Sequence, residues 1–312
     1  MQYDIRISRR NFILTSATLA GIALAGTSFD LKKKMPPLAF STLGCPDWEF
    51  EKILDFAVSK GYKGIEIRGI KREMDLPKSP VFNTAENRAA TISLMKDKGL
   101  RFAGLGSSAN LHFPEGSERE KSLDEARRFI DLAQQINCPY IRVFPNRFPE
   151  GQEKSKTMDL IVDGLLTLGD HAKGSRVTVL METHGDVVHS EDLELIMQRA
   201  KHRQVGLVWD IANMWTVTRE SPSQVYARLK NYIRHTHIKD GKFVNGKLQY
   251  TLLGRGEVPI GEAIQALANG GYKGFYSFEW EKLWHPEIAE PEVAIGDFPT
   301  AIMQYFKNGF AS

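Results

Sequence analysis

Cysteine is scarce in this chain of 312 residues: there are two, Cys45 and Cys138. Neither has metal-ligand spacing, so cysteine-built zinc sites are excluded. Charge of one sign is also missing. The net charge is +3, with no basic face to suggest a nucleic-acid partner. No G-x-G-x-x-G follows the first strand-like segment and no P-loop occurs, so neither nucleotide-binding signature is present. Long hydrophobic runs are absent too. The most apolar stretch, Phe12 to Ala25, is interrupted by Thr18 and Gly21 and is short for a span of roughly 20 residues.

That stretch reads instead as a targeting segment. Ser8-Arg9-Arg10-Asn11-Phe12-Ile13 sets two arginines before the apolar run, and Ala23-Leu24-Ala25 offers a small-residue cleavage site. The order resembles a twin-arginine export signal. It implies the twin-arginine translocation machinery as a partner and a periplasmic destination, with cleavage after Ala25. An uncleaved anchoring helix is the alternative. No cysteine lies at the cleavage site for lipid attachment. Residues 26–36, with Lys32-Lys33-Lys34, read as a solvated linker.

From residue 37 to 312 the pattern alternates short β-branched apolar runs with amphipathic helical ones. Strands are expected at Pro37–Thr42, Tyr62–Arg68, Arg101–Gly106, Tyr140–Phe144 and Val177–Glu182. Three more end at Asp210, near His237 and at Glu279. Helices are expected between them, for example Phe50–Lys60, Ser117–Ile136, Ser190–Arg203 and a last one at Phe298–Phe310. Asn245-Gly246 marks a hairpin turn inserted after the seventh strand. Eight strand–helix alternations mean parallel strands joined by crossover helices, which close most simply into a single-domain (β/α)8 TIM barrel. An open doubly wound sheet is the alternative. On the barrel reading Cys45 and Cys138 lie at opposite ends and remain unpaired thiols.

The last four strands share one feature. Each apolar run stops abruptly at Glu182, Asp210, His237 or Glu279. In a parallel barrel these are carboxyl-terminal strand ends, where active sites sit. Three carboxylates and one imidazole form an oxygen-rich ligand set. It suits one divalent metal ion, Mn²⁺ first, with Mg²⁺, Co²⁺ or Zn²⁺ as alternatives. Any one of the four alone reads equally well as a salt-bridge or core residue; their recurrence at successive strand ends points to a metal.

Here the residues resemble the xylose-isomerase-like barrels: sugar isomerases, ketose 3-epimerases and inosose dehydratases. The best local matches are Met181-Glu182-Thr183-His184, Trp209-Asp210-Ile211, His235-Thr236-His237-Ile238-Lys239-Asp240 and Phe278-Glu279-Trp280-Glu281. The resemblance implies a carbohydrate or polyol substrate and proton transfer beside a carbonyl through an enediolate, with Glu182 and Glu279 as the acid–base pair. His237 matches the family ligand, whereas His235 packs or orients. The chain departs from the ketose 3-epimerases at Asn213, where they carry histidine, and at Phe243, where they carry arginine. Asp186 is the nearest acid to their extra glutamate. The family's endonucleases need further histidines that are missing here.

Substrate contacts are expected from Asn213, His184, Lys239, Arg142, Arg255, Trp280 and His285. His184 and Lys239 otherwise serve to support the ligands or lie at the surface. Arg142 grips a hydroxyl or carboxylate, or pairs with Glu66. Arg255 has the same alternatives on the long loop, and Trp280, Trp284 and His285 stack on a sugar or pack the rim. Three functions follow: a metal-dependent isomerase or epimerase first, a lyase or hydratase on a keto-sugar or 3-keto-glycoside next, and a non-catalytic sugar-binding barrel last.

Overall fold

A computed structural model describes residues 36–308. The segment expected to be an export signal and nearly all of the expected linker lie outside the described residues. Eight parallel strands close into a barrel: β1 Leu38–Ser41, β2 Gly64–Ile67, β3 Arg101–Asn110, β4 Tyr140–Phe144, β5 Thr178–Glu182, β6 Val205–Asp210, β7 Ile233–Ile238 and β10 Tyr276–Phe278. Closure is made by β1 on β10, with Leu38 opposite Tyr276 and Phe40 opposite Phe278. The antiparallel pair β8 Asp240–Val244 and β9 Lys247–Thr251 stands apart as the expected hairpin. Asn245 and Gly246 both take positive φ, 51° and 76°, as the tight turn requires.

Helices follow the strands: α1 Phe50–Ser59, α2 Ala85–Asp97, α3 Ser117–Gln135, α4 Lys154–His171, α5 Ser190–Arg199, α6 Ile211–Thr218, α7 Pro222–Leu229, α8 Ile260–Asn269 and α9 Pro291–Asn308. In α1 the residues Phe50, Ile53, Leu54 and Ala57 are buried, a 3–4 spacing that lays one stripe on the sheet. No helix among the described residues is long and apolar enough to cross a membrane. Cys45 and Cys138 are both buried and free.

Several elements differ from the sequence reading. β3 runs on to Asn110, and α5 stops at Arg199 rather than Arg203. The last helix starts at Pro291, with Pro299 inside it; proline at the first turn is well tolerated, whereas the internal one disguises the helix. α6 is an additional helix that the β-branched run Thr216-Val217-Thr218 hides. Asp210 starts it by accepting the Asn213 N–H at 2.9 Å, and Arg219 ends it in the left-handed region at φ 58°.

Because side chains alternate along a strand, every second residue enters the barrel. On the eighth strand these are Phe275, Ser277 and Glu279; on the seventh, His235, His237 and Lys239. The interior is therefore layered. At the bottom Phe275 packs with Ala39 and Ala103 as a small apolar plug. A Cβ on Gly64 would lie 2.6 Å from the Phe275 ring, so only glycine leaves room for the plug. Above it the layers are polar. Other large aromatic residues lie outside the strands, where Phe298 of α9 stacks on Phe278 at 4.6 Å and on Tyr62 at 6.4 Å.

Phe298 is 1% exposed and fastens the last helix over the closing strand pair. Phe298→Ala is expected to destabilise the fold by about 3–5 kcal/mol. Urea unfolding would show this as a lower midpoint at unchanged m-value.

Candidate metal and active site

β6 and β7 pair in a register that sets Asp210 directly opposite His237. Glu182 is the last residue of β5, and Glu279 follows β10, where its N–H still bonds to Ile238 at 3.0 Å. One ligand-type atom from each of Glu182, Asp210, His237 and Glu279 lies within 4.8 Å of the other three, and all four residues are buried. His237 Nδ1 faces this cluster, 3.3 Å from Glu279 Oε1, 3.6 Å from Glu182 Oε1 and 3.9 Å from Asp210 Oδ2.

Three cations counter the crowded carboxylates. Arg142 Nε is 3.0 Å from Glu182 Oε2, so Arg142 pairs with Glu182 and not with Glu66 as its sequence position allowed. Lys239, 1% exposed, has Nζ 2.8 Å from Asp210 Oδ2, 2.6 Å from Glu279 Oε2 and 2.5 Å from Glu281 Oε1. Arg68 sits beside Arg142 and donates to Ser108 Oγ at 2.9 Å. Gly106 makes this possible: a Cβ there would lie 2.5 Å from Arg68 Cδ and 3.0 Å from Arg142 Nη2. Burial and the neighbouring Arg142 push Arg68 down to about 9.

The carboxyl groups respond to this field. Burial opposes ionisation of Glu182, but Arg142 and His237 hold its carboxyl well below the usual range. Asp210 goes the other way. Burial raises it and Lys239 lowers it, yet Glu279 and Glu182 add to the rise and leave it pushed up to about 7. Burial disfavours the charged form of His237, and Glu279, Glu66 and Glu182 reverse that and raise it well above an ordinary histidine.

A divalent ion fits these residues. His237 Nδ1, Asp210 Oδ2 and Glu182 Oε2 are buried without a hydrogen-bond partner. The Lys239–Asp210 and Arg142–Glu182 contacts are close charges that lack hydrogen-bonding direction. Unpaired buried polar atoms converging on one point need a partner. Asp210 shows how one carboxylate serves twice, since Oδ1 caps α6 while Oδ2 turns into the cluster.

The other expected contacts fall at different distances. Asn213 Nδ2 is 3.5 Å from Glu182 Oε1. His184 is half-buried, with Nδ1 2.7 Å from Asn146 Oδ1. His285 meets Tyr250 of the hairpin edge-on at 5.1 Å and sits 3.8 Å from Glu281 Oε2. Arg255 is exposed on the loop after β9. Trp280 is 1% exposed, stacks on Phe278 at 5.6 Å and donates its indole N–H to Ala289 at 2.9 Å. It packs the rim and leaves no face for a sugar, whereas Trp284 is 54% exposed.

Sequence reasoning gave no role to Glu281 and Tyr250. Glu281 lies two residues beyond Glu279 on the same face, and Tyr250 donates to Glu281 Oε1 at 3.0 Å. That spacing of two was a usable signal. The reach of a hairpin tyrosine was not.

Residues 54–295 match the family of xylose isomerase-like TIM barrels. The chain belongs to that family. L-ribulose-5-phosphate 3-epimerase UlaE of Salmonella typhimurium is 25% identical to this xylose isomerase-like barrel over 217 residues, 67% of this chain and 74% of the epimerase. Among solved structures, the probable 3-DHS dehydratase AsbF of Bacillus anthracis superposes with a TM-score of 0.67 at 16% identity, covering 87% of this chain and 99% of that one. A xylose isomerase-like barrel from Mycobacterium smegmatis in complex with magnesium gives a TM-score of 0.67 at 18% identity, covering 89% and 99%.

Removing Arg142 would leave Glu182 buried beside other carboxylates. Arg142→Ala is expected to destabilise the metal-free barrel by about 3–5 kcal/mol. Denaturant titration in the presence of a chelator measures it.

Proposed function

We propose that this barrel is a divalent-metal-dependent sugar isomerase or epimerase. The observation that carries the reading is the convergence of Glu182, Asp210, His237 and Glu279 at the strand ends, with His237 Nδ1 and Asp210 Oδ2 left without a hydrogen-bond partner. These four residues would hold one ion. Mn²⁺ is the first choice for three carboxylates and one imidazole, with Mg²⁺, Co²⁺ and Zn²⁺ as alternatives. When bound, the ion supplies a Lewis acid for negative charge on neighbouring substrate oxygens.

The protein's own groups move the protons. Glu182 takes the proton from the carbon beside the carbonyl as general base, and Glu279 returns one as general acid. Arg142 keeps Glu182 ionised and ready to accept. Lys239 holds Glu279 and balances the charge that develops. The epimerase relative supports this reading. A second reading, loss of a β-substituent as a lyase or hydratase, uses the same first step. It is favoured by Asn213 and Phe243, which depart from the 3-epimerase pattern, and by the likeness to a dehydratase barrel. A binding barrel without turnover is the third, and the presence of both acid–base glutamates speaks against it. Residues 1–25 are proposed to export the protein to the periplasm.

Proton NMR of ketoses and 3-keto-glycosides in D₂O with Mn²⁺ tests the chemistry. Deuterium incorporated beside the carbonyl together with a new isomer is the expected result. Loss of water or aglycone would select the second reading, and no exchange with metal bound would overturn both. Glu182→Gln and Glu279→Gln are each expected to lower kcat by about 10²–10⁴-fold; a non-catalytic binder would keep its affinity and show no rate to lose. For export, Arg9→Lys with Arg10→Lys should retain a fused reporter in the cytoplasm. Unchanged periplasmic activity would sink that proposal.

A further inference from the structure

Below the carboxylate cluster lies a second group of ligand-type side chains, Glu66, His235 and His237, all buried. Its contacts are those of hydrogen bonds. His237 Nε2 is 2.8 Å from Glu66 Oε1, His235 Nε2 is 2.8 Å from Glu66 Oε2, and Ser277 Oγ donates to Oε2 at 2.9 Å. Each carboxylate oxygen thus already has a donor.

We propose that Glu66 is a positioning residue for the upper site, and that this trio is not a second metal centre. The inference rests on the metal reading above. An imidazole has two nitrogens, and in the neutral ring one carries the proton. As a metal ligand the ring is neutral, and with Nε2–H donating to Glu66 its lone pair lies on Nδ1, the atom that faces Glu182, Asp210 and Glu279. Without Glu66, Nδ1 would carry the proton and donate it to Glu279, 3.3 Å away, closing the ligand position. A carboxylate behind the ring also makes it a stronger donor to a metal.

Glu66 is itself held in place. Three donors from β7 and β10 grip its two oxygens, and His235 stands edge-on to His237 with ring centres 5.6 Å apart. The β2–β3 register shifts beside Glu66, where Ala103 of β3 is the extra residue. One oxygen of the Glu66 carboxylate meets the ligand histidine, and the other is anchored by His235 and Ser277.

The test is Mn²⁺ affinity by calorimetry on the full chain, for wild type and Glu66→Gln, with the metal-free melting temperature of each. Glutamine keeps the volume and one acceptor but removes the charge. Affinity is expected to fall about 10–100-fold while the metal-free variant still melts cooperatively. A second measurement uses the wild type alone: histidine ¹⁵N NMR with Zn²⁺ should show His237 metallated at Nδ1 and protonated at Nε2. Equal affinity within twofold, or Zn²⁺ on Nε2, would overturn the assignment and leave the functional proposal standing. A wild type that binds no divalent ion would overturn both.

Discussion

Buried carboxylates at the ends of parallel strands are the constraint on which this barrel is arranged. Glu66, Glu182, Asp210 and Glu279 are each 4% exposed or less. Desolvating one ion in a protein interior costs several kcal/mol, and like charges add to that. The fold meets the cost by bringing partners in from the same strand faces: the cations Arg68 after β2, Arg142 from β4 and Lys239 after β7, and the imidazoles of His235 and His237 on Glu66. The (β/α)8 closure is what lets residues distant in sequence share this one axis.

The layering follows from that arrangement. A TIM-barrel interior is commonly filled by branched apolar side chains. Here only the lowest layer is apolar, and Gly64 and Gly106 thin the wall so that a phenylalanine and two arginines fit. The polar layers place the metal reading on a pre-ordered scaffold: the ligands are held on strand ends, and one of them, Asp210, also starts a helix. Acid–base chemistry at this mouth would then need no rearrangement of the backbone that carries it.

Much of this was legible in the chain. The alternation of apolar runs with amphipathic segments is a local property, and it led to the barrel. The strand ends at Glu182, Asp210, His237 and Glu279 were visible because a charged residue closing an apolar run is rare without a reason. What stayed hidden depended on direction and distance. Glu66 and Arg68 were seen on the second strand, but nothing local says that Glu66 meets β7 across the barrel or that Arg142 turns to Glu182. α6 was obscured by β-branched residues that a cap and tertiary packing overrule. Trp280 looked like a sugar platform because a tryptophan after a ligand strand carries no mark of which way its ring turns.

Asp240 carries a consequence of another kind. Its carboxylate accepts the N–H groups of Gly241, Gly254, Gly256 and Val258, at 2.8, 2.9, 3.0 and 3.3 Å. The two ends of the β8–β9 insertion are thereby tied to one side chain at its root. Between the tie points Tyr250 and Phe243 still touch the barrel, and the Asn245-Gly246 turn lies beyond them. The insertion is a cassette: its tip at Asn245-Gly246 can be exchanged without shifting the strands, while Tyr250, opposite Gly241 at its root, reaches Glu281. That tip can therefore be rewritten by recombination with the buried cluster left as it stands.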